Sequence, residues 1–238
     1  MHFLRDTPAH DLTYSDVFMV PSRSSVTSRL AVDLSTRDGL GTTLPLVVSN
    51  MTAVSGRRMS ETVARRGGIA ILPQDIPVHA VQETIHAVKA SHPVFESAVT
   101  IGPDEPVSAV LALMGKRAHR AAVVVEGTRP VGIVAEAQCL QVDRFTTVGQ
   151  VMSDDLLTVA ADADLRETFD LLVRAHLDLA PVVDADGSLL GVITRKGILR
   201  STIYSPALDR DGRLSLGVAI GINGDVREKA ATMLSSGA

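Results

Sequence analysis

The sequence predicts an α/β fold made of a parallel strand–helix series at its two ends and a doubled α/β module between them. Three observations carry this. Short β-branched runs alternate with amphipathic helical stretches over the first 92 residues. A pattern at 99–107 returns at 157–165 and is followed by the same order of elements. The apolar residues, 45% of 238, are almost all aliphatic, with aromatics at 3% and no tryptophan, so Val, Leu, Ile and Ala must build the core.

The first strand is read at 45–49 (PLVVS), a short β-branched run of the kind that a buried parallel strand uses. Asn50, Met51 and Thr52 leave it, and 57–66 is a helix ended by Gly67 and Gly68. A second buried strand, 69–72 (IAIL), stops at Pro73. Val78, Val81, Ile85 and Val88 then recur at spacings of 3, 4 and 3, one face of a helix running to about Ser91 with Pro77 in its first turn.

Between 95 and 203 the chain repeats itself. VTIGPDEPV at 99–107 aligns with LTVAADADL at 157–165, and both lead into helical patterns, Val110, Leu111 and Met114 against Phe169, Leu172 and Val173. KRAH at 116–119 echoes VRAH at 173–176, strands follow at 122–125 and 181–183, and each copy closes on a further strand, 130–134 and 189–193. Order and spacing kept over five elements predict a tandem βαββα-like duplication. After a polar turn at 209–212 comes a strand at 216–220, a loop at 221–224, and a helix capped by Asp225 that carries Val226, Ala230, Met233 and Leu234. The chain stops where a further strand is expected, as in an interrupted fold.

Charged residues make up 21% of the chain and the formal net charge is −4. This excludes a disordered tail and makes nucleic acid an unfavoured partner, and the scarcity of aromatics removes stacking platforms for single strands. No apolar run reaches membrane-spanning length, and the first twelve residues, MHFLRDTPAHDL, hold no signal-peptide core. Cys139 is the single cysteine, so no intramolecular disulfide forms; the expected location is the cytoplasm.

These residues resemble the IMP dehydrogenase/GMP reductase family. LTYSDVFMVP at 12–21 is similar to its opening LTFDDVLLVP, LVVSNMTAV at 46–54 to the first barrel strand and loop, LVSSPMDTV or LVSAAMDTV, GGIAIL at 67–72 to GGIGFIH, and LGVAIG at 216–221 to VGAAVG. The family inserts a pair of cystathionine-β-synthase-type (CBS) domains where the duplication stands here. The resemblance therefore implies a partial (β/α)8 TIM barrel, its first three strands, with an inserted α/β CBS-domain pair. Residues 1–92 are the N-terminal part of the barrel, 93–205 the tandem CBS domains (about 95–148 and 149–205), and 206–238 the third strand and its helix. A whole barrel takes roughly 250 residues. The nucleophilic cysteine loop, the phosphate loops and the flap are expected beyond Ala238. Cys139, inside the inserted module, is expected to be a buried neutral thiol, so no catalytic residue is assigned in this stretch and the 238 residues alone are expected to be inactive.

The chemistry implied by the resemblance acts at C2 of a purine ribonucleotide, through a cysteine adduct and a hydride passed to or from a nicotinamide. The preferred reading is GMP reductase, taking GMP and NADPH to IMP and ammonia. The alternative is IMP dehydrogenase, taking IMP and NAD to XMP with a monovalent cation such as K+. By the same resemblance Ser49 and Met51 touch the substrate nucleotide; the residues alone also allow Ser49 to satisfy local backbone and Met51 to be core. Two departures favour the reductase: Thr52 replaces the aspartate that follows this methionine, which removes a carboxylate acceptor, and PQD at 73–75 replaces an HKN-like segment.

CBS pairs bind adenine or guanine nucleotides through a strand followed by Thr/Ser-x-x-Asp. In the second copy Thr194 is kept but Gly197 stands at the aspartate position; in the first, GIVAEAQ at 132–138 lacks both residues. Weak ATP or GTP binding is therefore expected at the ribose sites, while Thr194, Arg195 and Lys196 remain candidates to hold phosphates. His119 and His176 are expected to be turn or interface residues, and His79 and His86 a solvated helix face, with no metal site. The resemblance implies a homotetramer through barrels or a homo-octamer through the CBS pairs. A non-catalytic nucleotide-sensing or interaction protein is the alternative of another class.

Overall fold

The computed structural model describes residues 9–115 and 119–238. The start of the N-terminal segment and the 116–118 part of the histidine echo lie outside the described residues. One compact unit ends at Asp33 and the second is Leu34–Ala238. The described part of the first unit holds two single 3-10 turns, Tyr14–Asp16 and Arg29–Ala31. Asp16 caps the earlier turn, its carboxylate accepting from the Thr13 amide at 2.8 Å and the Thr13 hydroxyl at 2.7 Å.

Along the second unit run β1 (Val47–Val48), α1 (Arg57–Ala64), β2 (Ile69–Leu72), α2 (Val78–Lys89), β3 (Thr100–Ile101), α3 (Val107–Met114), β4 (Ala121–Glu126), β5 (Arg129–Ala135) and α4 (Glu136–Cys139). Then follow β6 (Val159–Ala160), α5 (Leu165–Arg174), β7 (Leu179–Val183), β8 (Leu189–Thr194), α6 (Arg195–Ile203), β9 (Gly217–Val218) and α7 (Val226–Ser235).

The strands form three three-stranded sheets. The first, in order β1-β2-β9, is wholly parallel: Val47 lies opposite Ile69 and Ile71 opposite Gly217. The stretches read as strands at 45–49 and 216–220 thus flank the same central strand, although they stand on either side of the repeat in the chain. The other two sheets, β3-β4-β5 and β6-β7-β8, are copies of each other. Each has one parallel pair and one antiparallel hairpin, and each hairpin shifts register at the same point, between Val124 and Val125 and between Val182 and Val183. The two stretches read as repeat copies thus share strand order, pairing sense and the place of an irregularity that no pattern announces.

Local chemistry explains the helices. The Asp164 carboxylate accepts from the amides of Arg166 and Glu167, both at 2.9 Å, and starts α5. Asp225 starts α7 by accepting from the Glu228 amide at 2.8 Å. Pro77 is the residue just before α2 rather than inside its first turn. Val81, Ile85 and Val88 form the buried stripe of α2, as the spacing predicts, whereas Val78 is partly exposed.

α2 packs with Leu72, Leu214, Leu216 and Met233 into one core; burying each such Leu or Ile side chain contributes about 1.5–3 kcal/mol. The two repeat modules have cores of their own and meet across a seam that includes Val123 and Val192. A half-buried bond from Lys89 Nζ to Asp209, 2.9 Å, ties the end of α2 to the turn before β9. Burial pushes the Asp209 carboxyl up, but this bond and the amides of Arg213 and Asp211 outweigh it and carry the pKa down to about 2.

One expectation needs correction. The strand at 45–49 reads as buried, yet Leu46 is 51% and Val47 63% exposed. β1 has β2 on one side, and among the described residues no strand pairs with its other edge. Its apolar composition suits a covered strand, but only the β2 side is covered. No helix among the described residues is long and apolar enough to cross a membrane.

Candidate functional site

The carboxyl ends of β1, β2 and β9 form a common rim, the place where loops after parallel strands gather functional groups. After β1, Ser49 and Met51 are both exposed. The Ser49 hydroxyl has no hydrogen-bond partner among the described residues, and Met51, 58% exposed, is not a core residue. The Met51 carbonyl accepts from the amides of Val54 (2.9 Å) and Ser55 (2.8 Å), a tight turn that lifts the segment off the sheet.

The Thr52 hydroxyl donates to the Asp75 carboxylate at 2.9 Å. The sequence reading removes a carboxylate at position 52; the fold brings one back from the next strand, held by the residue that replaced it. After β9, the chain passes so close to Gln74 that a Cβ at Gly221 would stand 3.0 Å from Gln74 Oε1. The rim thus offers a free hydroxyl, an apolar wall and one carboxylate, a set suited to sugar hydroxyls beside a planar base.

The second candidate region lies where α1 meets the repeat modules. Thr194 is buried, and its oxygen accepts from the Gly197 amide at 2.8 Å, capping α6 and leaving its hydrogen free to donate. Arg195 is committed to Asp178, which it meets through Nε at 3.1 Å and through Nη2. Lys196 is exposed. A cavity of about 380 Å³ is lined by Thr194 and Lys196, and also by Arg65 and Arg66 at the end of α1, with Arg200 and Glu96. The structure therefore gathers Thr194 and Lys196 with three arginines that sequence reasoning did not single out, while Arg195 stands at the margin.

That cluster belongs to a wider charge network. Glu61 accepts from Arg57 Nε (2.7 Å), from the Ser97 hydroxyl (2.7 Å) and from Arg65 Nη1 (3.4 Å). Arg200 donates to Glu96 (3.0 Å) and to the Val94 carbonyl (2.8 Å), and Arg65 to the His92 carbonyl (2.9 Å). Burial pushes the Glu61 carboxyl up, but the bonds from Arg57 and Ser97 and the Arg65 charge leave it below the usual carboxylate range. The spacing of Arg57, Glu61 and Arg65 at i, i+4 was a legible signal; Glu96 with Arg200 was not.

The two matched histidines have diverged. His119 Nε2 lies 3.5 Å from Glu96, and His176 sits in a left-handed turn, φ 56°, so one is an interface residue and the other a turn residue. Cys139 is buried in the first module; burial pushes its thiol up and Glu136 adds to this. Among the described residues no three His, Cys, Asp or Glu side chains gather as a metal site.

Gly197 is explained by space. A Cβ there would lie 2.8 Å from Thr194 Oγ1 and 3.4 Å from Glu96 Oε1. Placing an aspartate at 197 is therefore expected to dislodge the α6 cap and set two carboxylates together. Gly197→Asp should cost roughly 1–3 kcal/mol in thermal unfolding without creating a tight ATP site; tighter ATP binding at unchanged Tm would refute this.

The IMP dehydrogenase / GMP reductase domain model matches residues 11–238. The chain is 55% identical over 97% of its length to a GMP reductase of Mycobacterium tuberculosis, covering 48% of that protein. It is 32% identical over 95% of its length to an inosine-5'-monophosphate dehydrogenase of Nitrosopumilus maritimus, covering 49%. The crystal structure of a Trypanosoma brucei GMP reductase in complex with guanosine 5'-triphosphate superimposes with a TM-score of 0.66 at 28% identity, over 95% of this chain and 57% of that one. The chain spans about half the length of the relatives it matches. With the strand order, the rim and the domain match in agreement, the chain belongs to the IMP dehydrogenase/GMP reductase family.

Proposed function

We propose that this chain is part of a GMP reductase, an enzyme that converts GMP to IMP with loss of the 2-amino group as ammonia and uses NADPH as hydride source. The observation that carries the choice is the 55% identity to a protein named GMP reductase, against 32% to one named as a dehydrogenase. The departures at Thr52 and 73–75 agree with it. In this reading residues 1–92 and 206–238 are the first three strand–helix units of a (β/α)8 barrel, and 93–205 a CBS pair divided near 148. The parallel order β1-β2-β9, with the repeat entering between α2 and β9, supports that division.

Ser49 then contacts the ribose or phosphate of the nucleotide through its unbonded hydroxyl, and Met51 packs against the purine. Thr194 and Lys196, with Arg195 beside them, hold phosphates of ATP or GTP at the repeat pair. The assembly is a homotetramer or homo-octamer in the cytoplasm. The test uses the product of the full coding sequence, assayed for NADPH-dependent conversion of GMP to IMP and for NAD-dependent conversion of IMP to XMP. Faster IMP formation is expected. Faster XMP formation makes it a dehydrogenase, and turnover in neither direction leaves the nucleotide-sensing alternative.

A further inference from the structure

The loop that carries Ser49 and Met51 has few ties to the rest of the fold. It leaves β1, which has a strand on one side only among the described residues, and Met51, Thr52, Ala53 and Val54 are all exposed. Its backbone bonds are local. The Met51 amide donates to the Ser49 carbonyl at 2.8 Å, and the amides of Val54 and Ser55 turn back on Met51. Among the described residues a single hydrogen bond joins 49–55 to another element, from the Thr52 hydroxyl to Asp75 Oδ2 at 2.9 Å.

Asp75 stands on firmer ground. It lies between Pro73, buried at the end of β2, and Pro77, the residue before α2, and each proline ring fixes a backbone angle. Its neighbour Ile76 packs against the core that holds Leu72, Val81 and Ile85. An ionised acceptor also makes the bond from a hydroxyl stronger than one between neutral groups. The Thr52–Asp75 bond therefore fastens a weakly tied loop to a stiff one.

We propose that Asp75 is a positioning residue for the nucleotide and acts through Thr52. It holds the turn at 51–54 so that the Ser49 hydroxyl and the Met51 side chain stand where the substrate meets them. This rests on the reading of Ser49 and Met51 as nucleotide contacts and adds what fixes them. Thr52 and Asp75 are both exposed, so loss of their bond leaves the core intact. Its effect falls on the placement of two side chains, and small misplacements of that kind weaken a site strongly.

The test uses the product of the full coding sequence with Thr52→Ser, Thr52→Val, Asp75→Asn, Thr52→Asp and the double variant Thr52→Asp/Asp75→Asn, each checked for an unchanged circular dichroism spectrum and Tm. KM and kcat are measured with whichever of GMP and IMP the wild type turns over, and hydrogen exchange is followed at the amides of 51–55. Thr52→Val removes the donor and should raise KM about five- to tenfold, with kcat within about twofold and faster exchange at 51–55. Thr52→Ser and Asp75→Asn keep a donor and an acceptor and should stay within about twofold of wild type. Thr52→Asp sets two carboxylates together and should show the highest KM. The double variant lets an amide donate to the moved carboxylate and should recover most of that loss. Equal KM in Thr52→Val and Thr52→Ser would overturn the proposal, as would a double variant no better than Thr52→Asp. So would Asp75→Asn as weak as Thr52→Asp, because the ligand would then be reading the charge directly. A wild type that turns over neither nucleotide sinks the reductase reading instead; exchange at 51–55 that is alike in Thr52→Val and Thr52→Ser then overturns the tether separately.

Discussion

Replacing Glu61 by alanine is expected to lower the unfolding free energy by about 3–5 kcal/mol, because it strands the buried Arg65 charge. The Glu61 and Arg65 side chains are each only 4% exposed, whereas Arg57 on the other side of Glu61 is 53% exposed. Arg57→Ala should therefore cost no more than about 1 kcal/mol, as for a surface pair. Glu61 also accepts from Ser97, so the loss falls on the junction between α1 and the linker to the repeat pair.

The pH dependence follows from the direction of the Glu61 shift. Its folded carboxyl lies below the usual range, so the stabilisation is fully present above the unfolded value of about 4.3 and fades as pH falls through the lower folded value. Urea unfolding of the wild type and Glu61→Ala at pH 7 and at successively lower pH should show the gap closing on the acid side. A gap of under 1 kcal/mol at pH 7 would show that the junction does not depend on this carboxylate.

The second large effect is expected at Gly67. Its φ is 93°, and its amide donates to the Ala64 carbonyl at 3.0 Å, closing α1. Its own carbonyl accepts from the amides of Thr43 (2.8 Å) and Leu44 (3.0 Å). A Cβ there would collide with Thr43 Oγ1 and stand 2.8 Å from the Ser205 carbonyl oxygen, the atom to which the Thr43 hydroxyl donates at 2.6 Å.

Gly67→Ala therefore combines a left-handed backbone with overpacking, and should cost roughly 2–5 kcal/mol. Gly187 is the control: its φ of 80° is similar, but nothing lies within 4 Å of the Cβ position, so Gly187→Ala should cost only about 1 kcal/mol. Equal losses at the two sites would mean that the Thr43–Ser205 contact does not constrain the fold.

The elements most readily read from the chain were those whose causes are local. Val81, Ile85 and Val88 mark the buried stripe of α2 by spacing alone, and Asp225 announces a helix start because a short carboxylate reaches an amide three residues on. The candidate rim was legible in part. Ser49 and Met51 follow a recognisable strand, but nothing in the order of residues shows that Thr52 holds Asp75. A carboxylate counted as missing from one loop is supplied by another because parallel strands bring their ends together.

The junction was the least legible region. Glu61 with Arg65 follows helical spacing, but Arg200 with Glu96 joins residues far apart in the chain, and neither is unusual in its own stretch. A long-range ion pair leaves no periodic trace. Burial of a strand has the same character: the composition of β1 matches that of β2, and its exposure differs because β2 has a strand on both sides and β1, among the described residues, on one.

From residue order alone came the α/β class, the duplication and the family, since short-range patterning and repeated motifs are written along the chain. Only folding decided which carboxylate sits at the rim, that Arg195 turns to Asp178 while Arg65 and Arg66 line a cavity beside Thr194, and that two buried guanidinium groups keep donors without a partner among the described residues. The reason is that desolvation and charge pairing depend on what surrounds a group in three dimensions, and its neighbours in sequence supply only a small part of that surrounding.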